Sequence, residues 1–209
     1  MAQAGALHEP FHDSGRQREA DRLGMLVFLG SELMLFGGLF ASAAALRLLH
    51  PGDYVAAAGH LKLWLGTANT AVLLLSSLLA ALAVAFARGG ASKAAGWALA
   101  ATVALGLLFL GIKGVEYAGE YREGLMPWAA NARFETRTEQ LFMNLYFAAT
   151  GLHAIHVVVG LCLLSVAALS GPARRDRHAV LIGNAALYWH LVDIVWLFLY
   201  PTLYLAGMR

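Results

Sequence analysis

The chain has 209 residues, 59% of them hydrophobic and only 13% charged, with a formal net charge of +2 and a mean hydropathy of +0.62. That balance excludes an ordinary soluble domain, and so small a net charge gives no footing for a nucleic-acid partner. The single cysteine, Cys162, excludes a disulfide framework or a thiolate metal cluster, and its apolar surroundings in the sequence predict a small buried hydrophobe.

Residues 1–22 carry Glu9, Asp13, Arg16, Arg18, Glu19, Asp21 and Arg22 with no apolar core, the pattern of a cytoplasmic N-terminal tail and not of a cleaved signal peptide. Residues 23–209 read as one membrane domain. Charged borders cut it into five apolar runs at about 23–46, 63–87, 94–118, 141–169 and 179–206. Each exceeds the ~20 residues that cross a hydrocarbon core. Because a helix satisfies its own backbone in lipid, the expected architecture is all-α, an integral membrane bundle of five transmembrane helices.

Orientation follows from Lys and Arg in short loops. Arg16, Arg18, Arg22, Arg88, Lys93, Arg174, Arg175 and Arg177 fall on one side; Arg47, Lys62, Arg122, Arg133, Arg137 and Arg209 fall on the other. The first side is expected to be cytoplasmic, which places the N-terminus inside and the C-terminus outside. Trp64, Trp97 and Trp128 stand at or near span borders, as interfacial aromatics do. Residues 119–138 form the longest expected connection, and their mixed charge suits either a surface that meets another protein or a plain solvated loop.

The polar residues within the spans carry the functional argument. Glu32 is the only charge of the first run, roughly 14 Å from its start at ~1.5 Å per residue, and an acid at such depth is a candidate for proton exchange. His153 and His156 are spaced to share a helix face, as are His190 and Asp193. Polar packing between helices is the simpler reading of both pairs. Asn69, Thr70, Ser76 and Ser77 read as small polar groups that let helices approach and bond. Lys113 and Glu116, one turn apart near the end of the third run, read as a local ion pair with the lysine reaching toward the membrane surface. Imidazole ligation of iron or copper is chemically open, but no Cys or Met stands at ligand spacing, so neither a catalytic residue nor a metal ligand is assigned.

Five ordered motifs resemble one family, subunit III of the haem-copper terminal oxidases. They are FLGSELMLFGGLF at 28–40, NTAVLLLSS at 69–77, Glu116 with Tyr117, TGLHAIHV at 150–157 and YWHLVDIVWLFLY at 188–200. The resemblance covers all five spans. It implies an accessory subunit of a bacterial respiratory oxidase, cytochrome c oxidase in the first reading, multi-pass in the inner membrane. Such a subunit would have no cofactor of its own, haem and copper residing in the catalytic subunit. Glu32 would occupy the family's carbodiimide-reactive position, while Asn69, Glu116, His153, His156, His190 and Asp193 would serve polar packing or contact bound phospholipid. The implied partners are subunit I as the main contact, subunit II, phospholipid and, beyond the complex, a respiratory supercomplex. In the family this subunit supports assembly, lipid binding and proton uptake.

The chain begins at what looks like the third helix of the seven-helix form, so the wall of the family's lipid cleft that the first two helices make is missing. Five-helix versions also occur with quinol oxidases, and the endings Lys113 to Tyr117 and Tyr200 to Tyr204 are similar to relatives found with nitric oxide reductases. Readings from other classes are a proton-coupled transporter, which inverted repeats or broken helices would favour, and a haem-binding membrane enzyme, which an absorption spectrum would reveal.

Overall fold

The apolar runs fold as long helices whose ends are set by caps and not by the first charge. The computed structural model describes residues 14–128, 132, 134, 136–170 and 175–207. Of the positions used above, residues 1–13, Arg133, Glu135, Arg174 and Arg209 lie outside them. Six α-helices follow in order: α1 Ser14–Leu49, α2 Pro51–Ala58, α3 Leu63–Gly89, α4 Ser92–Glu123, α5 Arg137–Leu169 and α6 Arg175–Leu203, then one 3₁₀ turn at Leu205–Gly207. There is no strand among the described residues, and five of the helices are long and apolar enough to cross a membrane. The all-α membrane architecture expected from the sequence is what forms.

Helix boundaries differ from the charge-cut runs in an instructive way. Helix α4 continues through Glu120 and Arg122 to Glu123, where Gly124 takes a left-handed conformation (φ 75°) and the Leu125 N–H bonds the Glu120 carbonyl at 2.9 Å. That is a Schellman ending. The first residues of the expected 119–138 connection are therefore helical. Helix α3 ends the same way, with Gly90 at φ 81° and the Ala91 N–H on the Phe86 carbonyl. Helix α5 starts before its apolar run, because the Thr136 hydroxyl accepts from the Glu139 N–H at 3.0 Å in a Thr-x-x-Glu cap. Helix α1 likewise begins at Ser14, inside the polar tail.

The chain divides into two compact units, Met1–Gly38 and Leu39–Arg209. In the first, α1 is regular, the Ser31 hydroxyl donates back to the Phe28 carbonyl at 2.7 Å, and Glu32 is partly exposed. In the second, α3 packs against α4 and α6, and α5 packs against the same two, so α3–α4–α5–α6 close a ring. Helix α2 opens with Pro51 at its first turn, where no N–H is needed. It rests on α5, and the Tyr54 hydroxyl donates to the Thr202 carbonyl at 2.9 Å. Burial pushes the Tyr54 phenol up to about 12, with Arg47 partly opposing it.

In lipid the ring cannot be driven by the hydrophobic effect, so close contact and interhelical hydrogen bonds must hold it. Small residues supply the closeness. A Cβ at Gly106 would lie 2.6 Å from Leu161 and 2.7 Å from Trp189, and one at Gly160 would lie 2.7 Å from the Trp189 ring. Trp189 of α6 is thus wedged between α4 and α5. Trp64, Trp97 and Trp128 are exposed at helix ends, while Cys162 is also exposed, contrary to the buried position expected for it. It lies on the outward face of α5, turned away from the ring.

Candidate functional site

Helices α3 and α6 meet through a ladder of polar contacts. Tyr200 and Thr67 hydroxyls are 2.7 Å apart, the Trp196 indole donates to Thr70 Oγ1 at 3.1 Å, and the Trp189 indole donates to Ser76 Oγ at 3.1 Å. The Ser77 hydroxyl and His190 Nδ1 are 2.8 Å apart. Thr67, Thr70 and Ser76 also donate to carbonyls of their own helix, which leaves an oxygen lone pair pointing at α6. Bonds of this kind contribute about 0.6 kcal/mol each in membranes. Their value lies in fixing which face of α6 turns inward.

A second polar centre gathers around Lys113. Its ammonium donates to Glu116 Oε2 at 2.9 Å, to the Tyr146 hydroxyl at 3.0 Å and to the Tyr204 hydroxyl at 2.8 Å. The Tyr146 hydroxyl in turn donates to Glu120 Oε1 at 2.7 Å, and Tyr204 donates to Glu116 Oε1 at 2.9 Å. The rings of Tyr117, Tyr146, Trp196 and Tyr204 stand within 5.0–5.6 Å of the ammonium, in cation–π range. Lys113 is 4% exposed, so the lysine does not reach toward the membrane surface as expected. Three tyrosine or carboxylate partners hold it inside, because an ammonium with every proton engaged has no need of water. Glu120 is buried beside it and was not singled out from the sequence, where it fell in an expected loop. The spacing of Lys113, Glu116 and Glu120 along one helix face was the signal available. Outside this centre, Lys62 bonds Glu123 at 2.8 Å, and that bond raises the lysine above its ordinary value.

Three polar side chains are buried without a hydrogen-bond partner among the described residues: Asn69, His153 and Asp193. His153 is packed against aromatic rings, tilted on Trp196 at 5.1 Å and edge-on to Phe109 at 5.6 Å. His156 shares its helix but not its surroundings. It is partly exposed, and its Nδ1 lies 2.8 Å from the Leu152 carbonyl. His190 and Asp193 do approach each other, but at 4.0 Å, too far for a hydrogen bond. Ser77 faces both side chains: its hydroxyl is 2.8 Å from His190 Nδ1 and is also directed at the Asp193 carboxyl. The helix face predicted from spacing is shared, and the two groups stand at the outer limit of an ion-pair contact without a direct hydrogen bond.

A family profile described as cytochrome c oxidase subunit III matches residues 11–208. The chain belongs to that family. It is similar to proteins named probable quinol oxidase subunit 3. In Staphylococcus haemolyticus the identity is 31% over 199 residues, covering 91% of this chain and 90% of the relative. In Staphylococcus saprophyticus it is 32% over 197 residues, 90% of each. In Staphylococcus aureus strain USA300 it is 31% over 199 residues, 91% and 90%.

Subunit III of a haem-copper oxidase is a non-catalytic subunit, and the redox centres of the complex reside in subunit I. Among the described residues no group of three or more His, Cys, Asp or Glu side chains is arranged to hold a metal ion. The polar residues of subunit III are instead spent on helix–helix contacts. Asn69 and Glu116 lie in the interior of the ring, Glu116 within the Lys113 centre and Asn69 on the inner face of α3. Glu32 belongs to the N-terminal unit.

Proposed function

We propose that this chain is the accessory subunit III of a bacterial respiratory oxidase that reduces oxygen to water and moves protons, seated against subunit I with subunit II in the same complex. The observation that carries the reading is the family match over nearly the whole chain, on a ring whose polar side chains bond one helix to the next. Such a subunit acts through assembly, bound phospholipid and proton uptake into its catalytic partner, with Glu32 as the carbodiimide-reactive acid. The N-terminus faces the cytoplasm, a placement supported by Arg88 and Lys93 on one side of the bundle.

The electron donor is a quinol. The printed names of the Staphylococcus relatives support this. A cytochrome c donor is the second reading, favoured by the description of the family profile. Purification of the tagged full chain in mild detergent tests both levels. Co-purification with a large haem-bearing membrane subunit is the expected result, and its absence would remove the accessory reading. Oxygen consumption by that complex with a short-chain quinol, against reduced cytochrome c, separates the donors.

A further inference from the structure

Between α3 and α6, near the end of the bundle that carries the Gly90–Ala91 turn, lies a laterally open cavity of about 480 Å³, with Val180 and Leu187 exposed along it. Ala81 and Arg88 line it from α3, and Gly183, Asn184, Leu187 and His190 line it from α6. Small side chains make the room, since a Cβ at Gly183 would meet nothing within 4 Å. From Ala179, another lining residue, to His190 the wall runs eleven residues, about 16 Å at 1.5 Å per residue. That is roughly half the thickness of a hydrocarbon core.

His190 is the lining residue farthest along α6, and the Asp193 carboxyl, itself not part of the lining, lies 4.0 Å from its Nδ1. Asp193 is 7% exposed; Ser77 faces its carboxyl, but no hydrogen bond of ordinary length reaches either oxygen among the described residues. Buried polar atoms left in this condition are commonly met by water. Two further features suit water here. The 4.0 Å between His190 Nδ1 and Asp193 Oδ2 is a separation at which a water can bridge. Within a wall otherwise made of Ala, Val, Gly and Leu, three polar side chains are spaced along its length: Arg88, Asn184 and His190. A space of this size has room for on the order of ten waters, of which those beside Arg88, Asn184 and His190 have a polar partner.

The geometry points to a water inlet: the α3–α6 cavity conducts water from the Arg88 face of the membrane past His190 to Asp193. The inlet gives a buried carboxyl in the middle of subunit III a path for proton exchange with one aqueous side alone. It goes beyond the accessory role and does not depend on the electron donor.

Cysteine accessibility in sealed vesicles of known orientation, made from cells producing the full chain with its native partners, tests the inlet. The background is Cys162→Ala, which removes the only native thiol. Asn184→Cys, Leu187→Cys and Asp193→Cys are compared with Ile194→Cys, a position outside the cavity that is about as exposed as Leu187. The probes are a charged, membrane-impermeant methanethiosulfonate and a lipid-soluble maleimide. The charged probe is expected to label Asn184→Cys and Leu187→Cys from the Arg88 face at least ten-fold faster than Ile194→Cys. Asp193→Cys should follow more slowly, and an added Gly183→Leu should slow labelling at both inner positions. Labelling of the two cavity positions by the lipid-soluble probe alone would overturn the inlet and assign the space to an acyl chain. Labelling of Leu187→Cys with an inert Asp193→Cys would end the cavity at His190 and remove the proton path.

Discussion

The ring of Trp189 lies against Gly160 so closely that a single added methyl would stand 2.7 Å from it, while on its far side Gly106 leaves the same allowance. Trp189 is held on three helices at once, since its indole also donates to Ser76. Gly160→Ala therefore cannot be absorbed by a sideways shift of the ring. Overpacking of this kind costs about 1–3 kcal/mol. The expected outcome is a lower melting temperature of the purified subunit or complex, with Gly183→Ala, where the space is open, as the unaffected control.

The Lys113 centre predicts a specific non-additivity. Lys113→Met leaves Glu116 and Glu120 buried without their cation, and breaking a buried pair from one side costs about 3–5 kcal/mol. Glu116→Gln is milder, because the amide keeps a hydrogen-bonding shape toward Lys113 and Tyr204. The double substitution should recover part of the Lys113→Met loss, giving a coupling energy on the order of 1–3 kcal/mol. Yield of folded chain and thermal unfolding of the three variants are the readouts. Simple additivity would show that the ammonium and the carboxylate do not act as a pair.

Tyr54 gives a pH dependence whose sign is fixed by burial. Its folded value is about 12 against an ordinary 10.0, so the native state keeps a phenolic proton that the unfolded chain loses first. The contribution is fully present below pH 10 and is lost as pH rises from 10 to about 12. Each pKa unit corresponds to about 1.4 kcal/mol. Tyr54→Phe should flatten that alkaline loss while costing about 1 kcal/mol at neutral pH, the value of its bond to the Thr202 carbonyl. Unfolding midpoints at pH 8, 10 and 11.5 for both proteins check it.

Glu32→Gln should leave assembly intact, since Gln preserves shape and much of the hydrogen bonding. Labelling of the chain by a hydrophobic carbodiimide should disappear, and oxygen reduction should persist with a shorter turnover lifetime or slower proton uptake. Loss of oxidase activity in a fully assembled Glu32→Gln complex would contradict an accessory role for the subunit.

The five spans were legible because uncharged runs longer than ~20 residues have almost no other way to fold. Their ends were not, because a charge does not stop a helix. Glu120 shows the difference, since the turn that ends α4 is made by Gly124, four residues later. The polar residues within the spans were easy to find and harder to connect. Spacing placed His190 and Asp193 on one face, but only the packing of α3 against α6 decides that His190 turns to Ser77. Lys113 was misread for a related reason. Its partners Tyr146 and Tyr204 lie 33 and 91 residues away, and no local pattern announces them.

Order of synthesis gives the α3–α6 ladder a further meaning. Thr67, Thr70, Ser76 and Ser77 enter the membrane early, on a helix with no charge between Leu63 and Ala87, and their partners are made more than 110 residues later. Until Trp189, His190, Trp196 and Tyr200 have left the ribosome, three sides of the ring have no fourth. A chain that stalls before α6 thus presents an open seam to lipid and to the membrane's proteases, and closure of that seam marks the subunit as finished.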